Sequence, residues 1–343
     1  MKSSLYLPAE WEKQSGIQLT WPHSGTDWAH MLKEVQSCFI EIAYEIAKQE
    51  LLLIVAPNID EVKSQIGQKV NMNNVHFVEC ETNDTWARDH GAITIIENGV
   101  PKLLDFKFNG WGLKFASNYD NLITTECYKQ NVFEADYANR LNFVLEGGSI
   151  ESDGKGTLLT TSRCLLSPNR NGEWKKQQIE SYLKKILWLD YGYLAGDDTD
   201  SHIDTLARMC PNDTILYVKC TDENDEHYKE LCKMEEQLKS FRTPEGHPYR
   251  LIPLPMADTY WFDSERLPAT YANFLILNNV ILYPTYNQPK NDIKAANVLQ
   301  EAFPEYKITG IDCQALIKQH GSLHCVTMQY PEKVIKHDKP CQK

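Results

Sequence analysis

The stretch "QHGSLHCVTMQY", Gln319 to Tyr330, puts a cysteine directly after a histidine, behind a Gly-Ser turn and at the head of a short alternating run. Cys325 is either a buried, inert thiol in a late strand or a nucleophile. Four other segments place charged or small polar residues where a strand pattern breaks. In "NDTWARDHGAI", Asp84, Arg88 and Asp89 surround Trp86. A carboxylate beside an indole can grip a planar cation, the acid taking hydrogen bonds while the ring covers a face; the plain alternative is a surface turn with an Asp-Arg pair. "FNGWGLK" carries Trp111 in a Gly-punctuated loop and by itself says turn with an aromatic.

In "LEGGSIESDGKGTLL", Glu146 precedes Gly147 and Gly148, which let the backbone pass close to another group, and Asp153-Gly154 suits a hairpin turn. Glu146 then ends a strand, pointing into a cleft or standing as a solvated edge carboxylate. The densest segment is "GDDTDSHIDTLAR", with Asp197, Asp198, Asp200 and Asp204 around His202. Such acids can ligate a hard cation, but those loops need no histidine, and a zinc site wants further His or Cys at fitting spacing. As acid–base chemistry, His202 and Asp204 lie two apart on an expected extended segment and share one face. A cysteine, a histidine and several carboxylates with aromatic neighbours, on separate strand ends, are the parts needed to attack a guanidinium carbon.

The elements that must position these groups alternate. Leu32, Val35, Phe39, Ile42, Ala43 and Ile46 recur at helical spacing ahead of the buried-strand run "LLLIVAP". Residues 75–79, 92–96, 102–106 and 214–219 read as strands, 172–187 and about 224–240 as helices. "ANFLILNNVILYPTY" reads as two strands around an Asn-Asn turn, and about 290–302 as a helix. No Pro/Gly/Ser-rich linker divides the chain, which predicts one α/β catalytic domain over 1–343 with a loosely ordered tail from about 332. A divergent repeat of roughly 65–70 residues fits the recurring strand–helix–strand pattern.

With 343 residues, 42 % hydrophobic and 24 % charged, the chain has ample material for a core. It has no apolar run long enough for a membrane helix. The first residues, "MKSSLYLPAEWEKQ", contain no secretory signal, which predicts a cytoplasmic protein. Ten cysteines without a C-x-x-C pair argue against a disulfide framework and a zinc site. A net charge of −12 without a basic patch argues against nucleic acid and suits a cationic small molecule or plain solubility.

"PAEWE", "NDTWARDHGA", "FNGWG", "EGGSIESDG", "GDDTDSHID" and "HGSLHCVTMQ" resemble, in order and over nearly the whole chain, the agmatine deiminases of the bacterial peptidyl-arginine deiminase family. The resemblance implies a pentein, a five-bladed α/β propeller of ββαβ units with a central active site. It aligns Cys325 with the family's nucleophile and His202 with its general acid/base. Asp89 and Asp204 align with the carboxylates that grip the guanidinium, Glu146 with the acid supporting histidine and substrate, and Trp86 with the indole lining the pocket. Trp111 is carried as a further substrate contact. Asp198 falls where family members carry Glu facing the substrate's far amine. Ala92 replaces a frequent Pro, "HIDT" the common "HVDN", and "HGSLHC" a more Gly-rich lead; none removes a reacting group.

The implied reaction hydrolyses agmatine to N-carbamoylputrescine and ammonia through a cysteine S-alkylthiouronium, supplying putrescine and polyamine synthesis, with no metal or organic cofactor. A homo-oligomer is compatible with it. The competing readings are deimination of free or peptidyl arginine, a catalytically silent binding module of the same fold, and a metal-dependent hydrolase built on "GDDTDSHID".

Overall fold

The computed structural model describes residues 5–183 and 185–337. The chain groups into two compact units, residues 1–147 with 325–343, and residues 148–324. No helix of the described residues is long and apolar enough to cross a membrane.

In the first unit, Gln14–Thr20 and Leu51–Ala56 are buried at every position, as expected of strands covered on both faces. They pair in parallel, and parallel neighbours need a long crossover. The helix Leu32–Ala47 supplies it. Its Val35, Phe39, Ile42, Ala43 and Ile46 form the buried stripe that the spacing predicts. Val75–Glu79 extends this sheet in parallel, and the late strand Thr327–Pro331 closes its other side antiparallel to Gln14–Thr20. A second sheet runs in the order Leu5–Tyr6, Ile93–Glu97, Val100–Lys107, Asp136–Val144. Its hairpin turns at Asn98-Gly99, both with positive φ, the pair that a two-residue turn between twisted strands favours.

The tail differs from expectation. Val334 and Ile335 are buried in the core of the first unit beside Val132 and Phe133. The Ile335 amide donates to Ser15 Oγ at 3.0 Å, and the Glu134 amide to the Val334 carbonyl at 2.7 Å. Burying two large aliphatic side chains is worth about 3–6 kcal/mol, enough to order a short segment. Residues 338–343 of that tail lie outside the described residues.

The second unit repeats one connection: two antiparallel strands, a helical crossover, then a strand parallel to the second. Ile150–Ser152, Thr157–Thr161 and Lys185–Leu189 make one copy. Ala207–Cys210, Thr214–Lys219 and Arg250–Pro255 make another, around the helix Tyr228–Ser240. Leu275–Ile276, Val280–Thr285 and Lys307–Asp312 make a third, around the helix Pro289–Ala302. The helix expected over 172–187 is Lys176–Leu183, and the residues from Lys185 are strand. The run "KILWL" pairs in parallel with Thr157–Thr161 and buries Trp188 and Leu189, so tertiary pairing decides its state.

The same ββαβ connection occurs five times among the described residues when Thr327–Pro331 is counted as the first strand of its copy. The second strands of three successive copies begin at Val100, Thr157 and Thr214, equal steps somewhat shorter than the expected period. The segments singled out for chemistry fall just before first strands. Asp89 leads into Ile93–Glu97, Glu146 into Ile150–Ser152, Asp204 into Ala207–Cys210, and Cys325 into Thr327–Pro331.

Candidate active site

In the first unit, residues Ala87–His90 form a single helical turn closed by the Gly91 amide on the Ala87 carbonyl, 2.9 Å. The turn lies against the last strand: the Arg88 amide donates to the Cys325 carbonyl at 3.1 Å, and Arg88 Nη1 to Gln329 Oε1. Arg88, Asp89, Trp86 and Cys325 are all buried, so the surface-turn reading of this segment fails. Burial pushes His90 down to about 3. It is therefore uncharged at neutral pH and adds no counter-charge beside Asp89.

Asp120 and Asn83 tie the approach to this turn reciprocally. Asp120 Oδ1 accepts from the Asn83 amide at 2.7 Å, while Asn83 Oδ1 accepts from the Tyr119 amide at 2.7 Å. Trp28 donates its indole N–H to Thr85 Oγ1 at 2.9 Å and packs against Trp86, ring centres 5.6 Å apart.

Trp111 sits in an unusual turn. Gly110, Trp111, Gly112 and Leu113 all have φ between 54° and 88°, a left-handed helical turn that costs L-residues roughly 1–2 kcal/mol each. Two glycines lower that cost. Gly110 is doubly required, because a Cβ there would lie 2.2 Å from the Phe115 carbonyl oxygen. The turn is closed by Asn109, whose Oδ1 accepts from the Gly112 amide at 2.9 Å and whose carbonyl accepts from the Leu113 amide at 2.9 Å. It delivers the indole Nε1–H of Trp111 to Asp89 Oδ2 at 2.9 Å. Trp111 also meets Trp86 edge-on at 6.2 Å and Phe108 at 4.9 Å. Composition signalled only a turn with an aromatic; the indole's partner was not legible.

Glu146 is fully buried, so it is not a solvated edge carboxylate. The residue after it needs to be small: a Cβ on Gly147 would stand 2.2 Å from the Arg88 carbonyl oxygen.

In the second unit the acidic segment divides by role. Asp197 shapes the loop, its carboxylate accepting from Thr199 Oγ1 at 2.5 Å and from the Ser201 amide at 2.6 Å. Asp200 receives the buried Arg170 at 2.6 Å, and Arg170 also donates to the Thr199 carbonyl at 2.8 Å. These bonds hold Asp200 and Ser201 at φ +65°, a strained pair for non-glycine residues. With two of its four acids spent on the loop itself, the segment is a poor carboxylate cage for a hard cation. Asp198 is half-buried.

His202 and Asp204 do not lie on an extended segment, as the sequence suggested. His202 caps a 3-10 turn, Ile203–Thr205, and its carbonyl accepts from Thr205 Oγ1 at 2.9 Å. Three residues per turn place Asp204 away from the strand-like face. Its side chain is completely buried. Asp204 Oδ2 is 2.8 Å from His324 Nδ1, whereas Oδ1 has no hydrogen-bond partner among the described residues. Burial pushes this carboxyl up, but the hydrogen bond from His324 and the electrostatic stabilisation by His324, His202 and Arg208 outweigh it and hold it below its ordinary value. It is ionised at neutral pH.

Three residues of this cluster were not identified from the sequence. His324 bonds Asp204; Arg208 Nη2 lies 3.1 Å from His324 Nε2; Glu151 Oε1 accepts from Arg208 Nε at 2.5 Å. All three stand inside the segments singled out above, but His324 was read only as the neighbour of Cys325.

The five ββαβ copies, with acids, a histidine and a cysteine on the lead-ins to their first strands, define a pentein. The chain belongs to the Porphyromonas-type peptidyl-arginine deiminase family, whose model matches residues 6–331. Among solved structures it resembles the "Putative Arginine Deiminase from Porphyromonas gingivalis", 49% identical over 97% of this chain and 100% of that one, TM-score 0.92. It also resembles a cysteine-to-serine variant of the C. jejuni agmatine deiminase with substrate bound, 39% identical over 96% of this chain and 97% of that one, TM-score 0.89. A Shewanella baltica relative named "Putative agmatine deiminase" is 33% identical, covering 96% of this chain and 95% of the relative.

Proposed function

We propose that this protein is an agmatine deiminase, converting agmatine and water to N-carbamoylputrescine and ammonia. The observation that carries the reading is Asp204, a fully buried, ionised carboxylate whose Oδ1 has no hydrogen-bond partner among the described residues. A buried charged acceptor left without a donor costs roughly 1–3 kcal/mol. A guanidinium offsets that cost with fixed, planar N–H donors that a simple ammonium cannot match. The C. jejuni relative that holds its substrate is named for agmatine, and the half-buried Asp198 suits the amine at the far end of that molecule. An arginine carboxylate would call for Arg or Lys instead.

In the reaction, Asp89 and Asp204 orient the guanidinium, with Trp86 and Trp111 lining its faces and Glu146 supporting His202 and the substrate. The Cys325 thiolate adds to the guanidinium carbon, and the C=N electron pair moves to nitrogen. His202 protonates the leaving nitrogen, ammonia departs, and a cationic S-alkylthiouronium remains. Water then adds to that carbon while His202 takes one of its protons; the C–S bond breaks, returning the thiolate, and the remaining hydroxyl proton passes to solvent, leaving the urea group of the product. A free thiol is mostly protonated at neutral pH and nearby acids disfavour its ionisation. The substrate's cation and a protonated His202 supply the offsetting charge, so the thiolate forms fully on binding. Ten scattered cysteines suit a reducing compartment, and the reaction is assigned to the cytoplasm, with its product supplying putrescine and polyamine synthesis.

Ammonia release from agmatine, free arginine and a C-terminal-arginine peptide tests the assignment. Agmatine is expected to exceed both by about 100-fold or more in kcat/KM, the scale of a lost charge-assisted contact. Equal or faster turnover of arginine would overturn it.

A further inference from the structure

We infer that His324 is a positioning residue: an uncharged imidazole, held by Arg208, that aims the Asp204 carboxylate at the guanidinium. The inference rests on the deiminase reading for what Asp204 meets, and on contacts within the second unit for everything else.

Arg208 Nη2 lies 3.1 Å from His324 Nε2. A guanidinium only donates hydrogen bonds. Nε2 is therefore the acceptor and carries no proton. The one proton of the ring is on Nδ1, which faces Asp204 Oδ2 at 2.8 Å. The neighbour decides the tautomer, so the direction of the bond to Asp204 is set by Arg208.

Arg208 cannot turn away. It is fully buried; its Nε donates to Glu151 Oε1 at 2.5 Å, and its Nη1 to the carbonyls of Ala272, 3.0 Å, and Phe274. The guanidinium carbon stands 4.4 Å from the Phe274 ring centre. The other Glu151 oxygen is occupied by the Met209 amide at 2.9 Å. At the other end, the His324 amide donates to Asn273 Oδ1 at 2.9 Å. Each group in the row Glu151, Arg208, His324, Asp204 is thus oriented by the one before it.

The order of charges matters as much as the geometry. With Nε2 accepting from Arg208, the imidazole donates to Asp204 Oδ2 without bringing a positive charge of its own, and Oδ1 has no hydrogen-bond partner among the described residues. A lysine or arginine in the place of His324 would also hold Oδ2, but it would neutralise the carboxylate and weaken its attraction for a cation. A neutral donor orients without that loss.

Two substitutions separate orientation from bulk. In His324→Asn the amide nitrogen stands near the Nδ1 position and can still donate to Asp204. In His324→Gln the amide falls near Nε2, meeting Arg208 and leaving Asp204 Oδ2 without a donor. KM for agmatine is expected to rise about tenfold in His324→Gln and to recover most of that loss in His324→Asn, the effect of one oriented hydrogen bond. A purely structural role would shift both variants together with their Tm. Equal KM in the two variants at matched Tm overturns the inference.

The unmutated protein gives an independent readout. Histidine-15N spectra should contain an imidazole signal protonated at Nδ1 and bare at Nε2 that is missing from His324→Asn, while the signal of His227, whose Nε2 accepts from the Ala195 amide, stays in both. If the signal that disappears in His324→Asn is instead protonated at Nε2, or is an imidazolium, the inference is overturned even if His324→Gln does not fold. Absence of agmatine turnover in the unmutated chain would instead refute the deiminase reading, and the tautomer would still decide the role of His324.

Discussion

Trp111 donates its indole N–H to Asp89 Oδ2 at 2.9 Å from the second position of a left-handed turn. A strained backbone thus fixes the direction of a carboxylate that the motif match assigns to the guanidinium. Such strain persists only where surrounding contacts over-determine it, and the Asn109 bonds and the Phe108 and Trp86 rings do so here.

Trp111→Phe keeps an aromatic ring against those neighbours and removes the donor. KM for agmatine should rise about fivefold, with a stability loss of about 1 kcal/mol. Steady-state kinetics alongside thermal unfolding checks both. A larger fall in stability with unchanged KM would mean that the indole matters only for packing.

Cys325→Ala should release no ammonia yet bind agmatine with a Kd within about tenfold of the unmutated protein, since covalent chemistry ends while orienting contacts remain. Calorimetric titration of the variant measures it. Residual turnover near the normal rate would remove Cys325 from the role of nucleophile.

Asp198→Ala should raise KM for agmatine about tenfold while leaving turnover of butylguanidine, which lacks the distal amine, little changed. Parallel kinetics with the two substrates decides the point. Equal losses on both would assign Asp198 to the loop and not to the amine.

Burial pushes the Asp120 carboxyl up to about 7. Its folded value lies above the unfolded one near 3.9, so the stability it contributes is fully present below about pH 4 and is lost as pH rises through about 7. Asp120→Asn keeps the acceptor for the Asn83 amide and removes the titration. Between pH 4 and pH 8 the unmutated protein should lose on the order of 1–4 kcal/mol relative to the variant. Denaturant unfolding at several pH values would show parallel curves if Asp120 were not involved.

Much of the architecture was legible because it is local. The stripe of Leu32–Ala47, the all-apolar Leu51–Ala56 and the strand Thr214–Lys219 each carry their periodicity or composition within a few residues. The chemistry-bearing segments were visible for a related reason: Cys325, His202, Asp89, Asp204 and Glu146 interrupt those patterns where a fold without a site would place turn or core residues. Those are properties of the amino-acid sequence alone. Partnerships are another matter. Asp89 and Trp111 are 22 residues apart, Asp204 and His324 120, and no period or propensity links positions so distant. The left-handed turn, the conversion of His202–Asp204 from an extended segment to a 3-10 turn, the burial of Val334 and Ile335, and the orientation of Asp204 by Arg208 through His324 were decided by tertiary structure. Hydrogen-bond direction and desolvation depend on which groups the fold brings together, and only a closed chain specifies that.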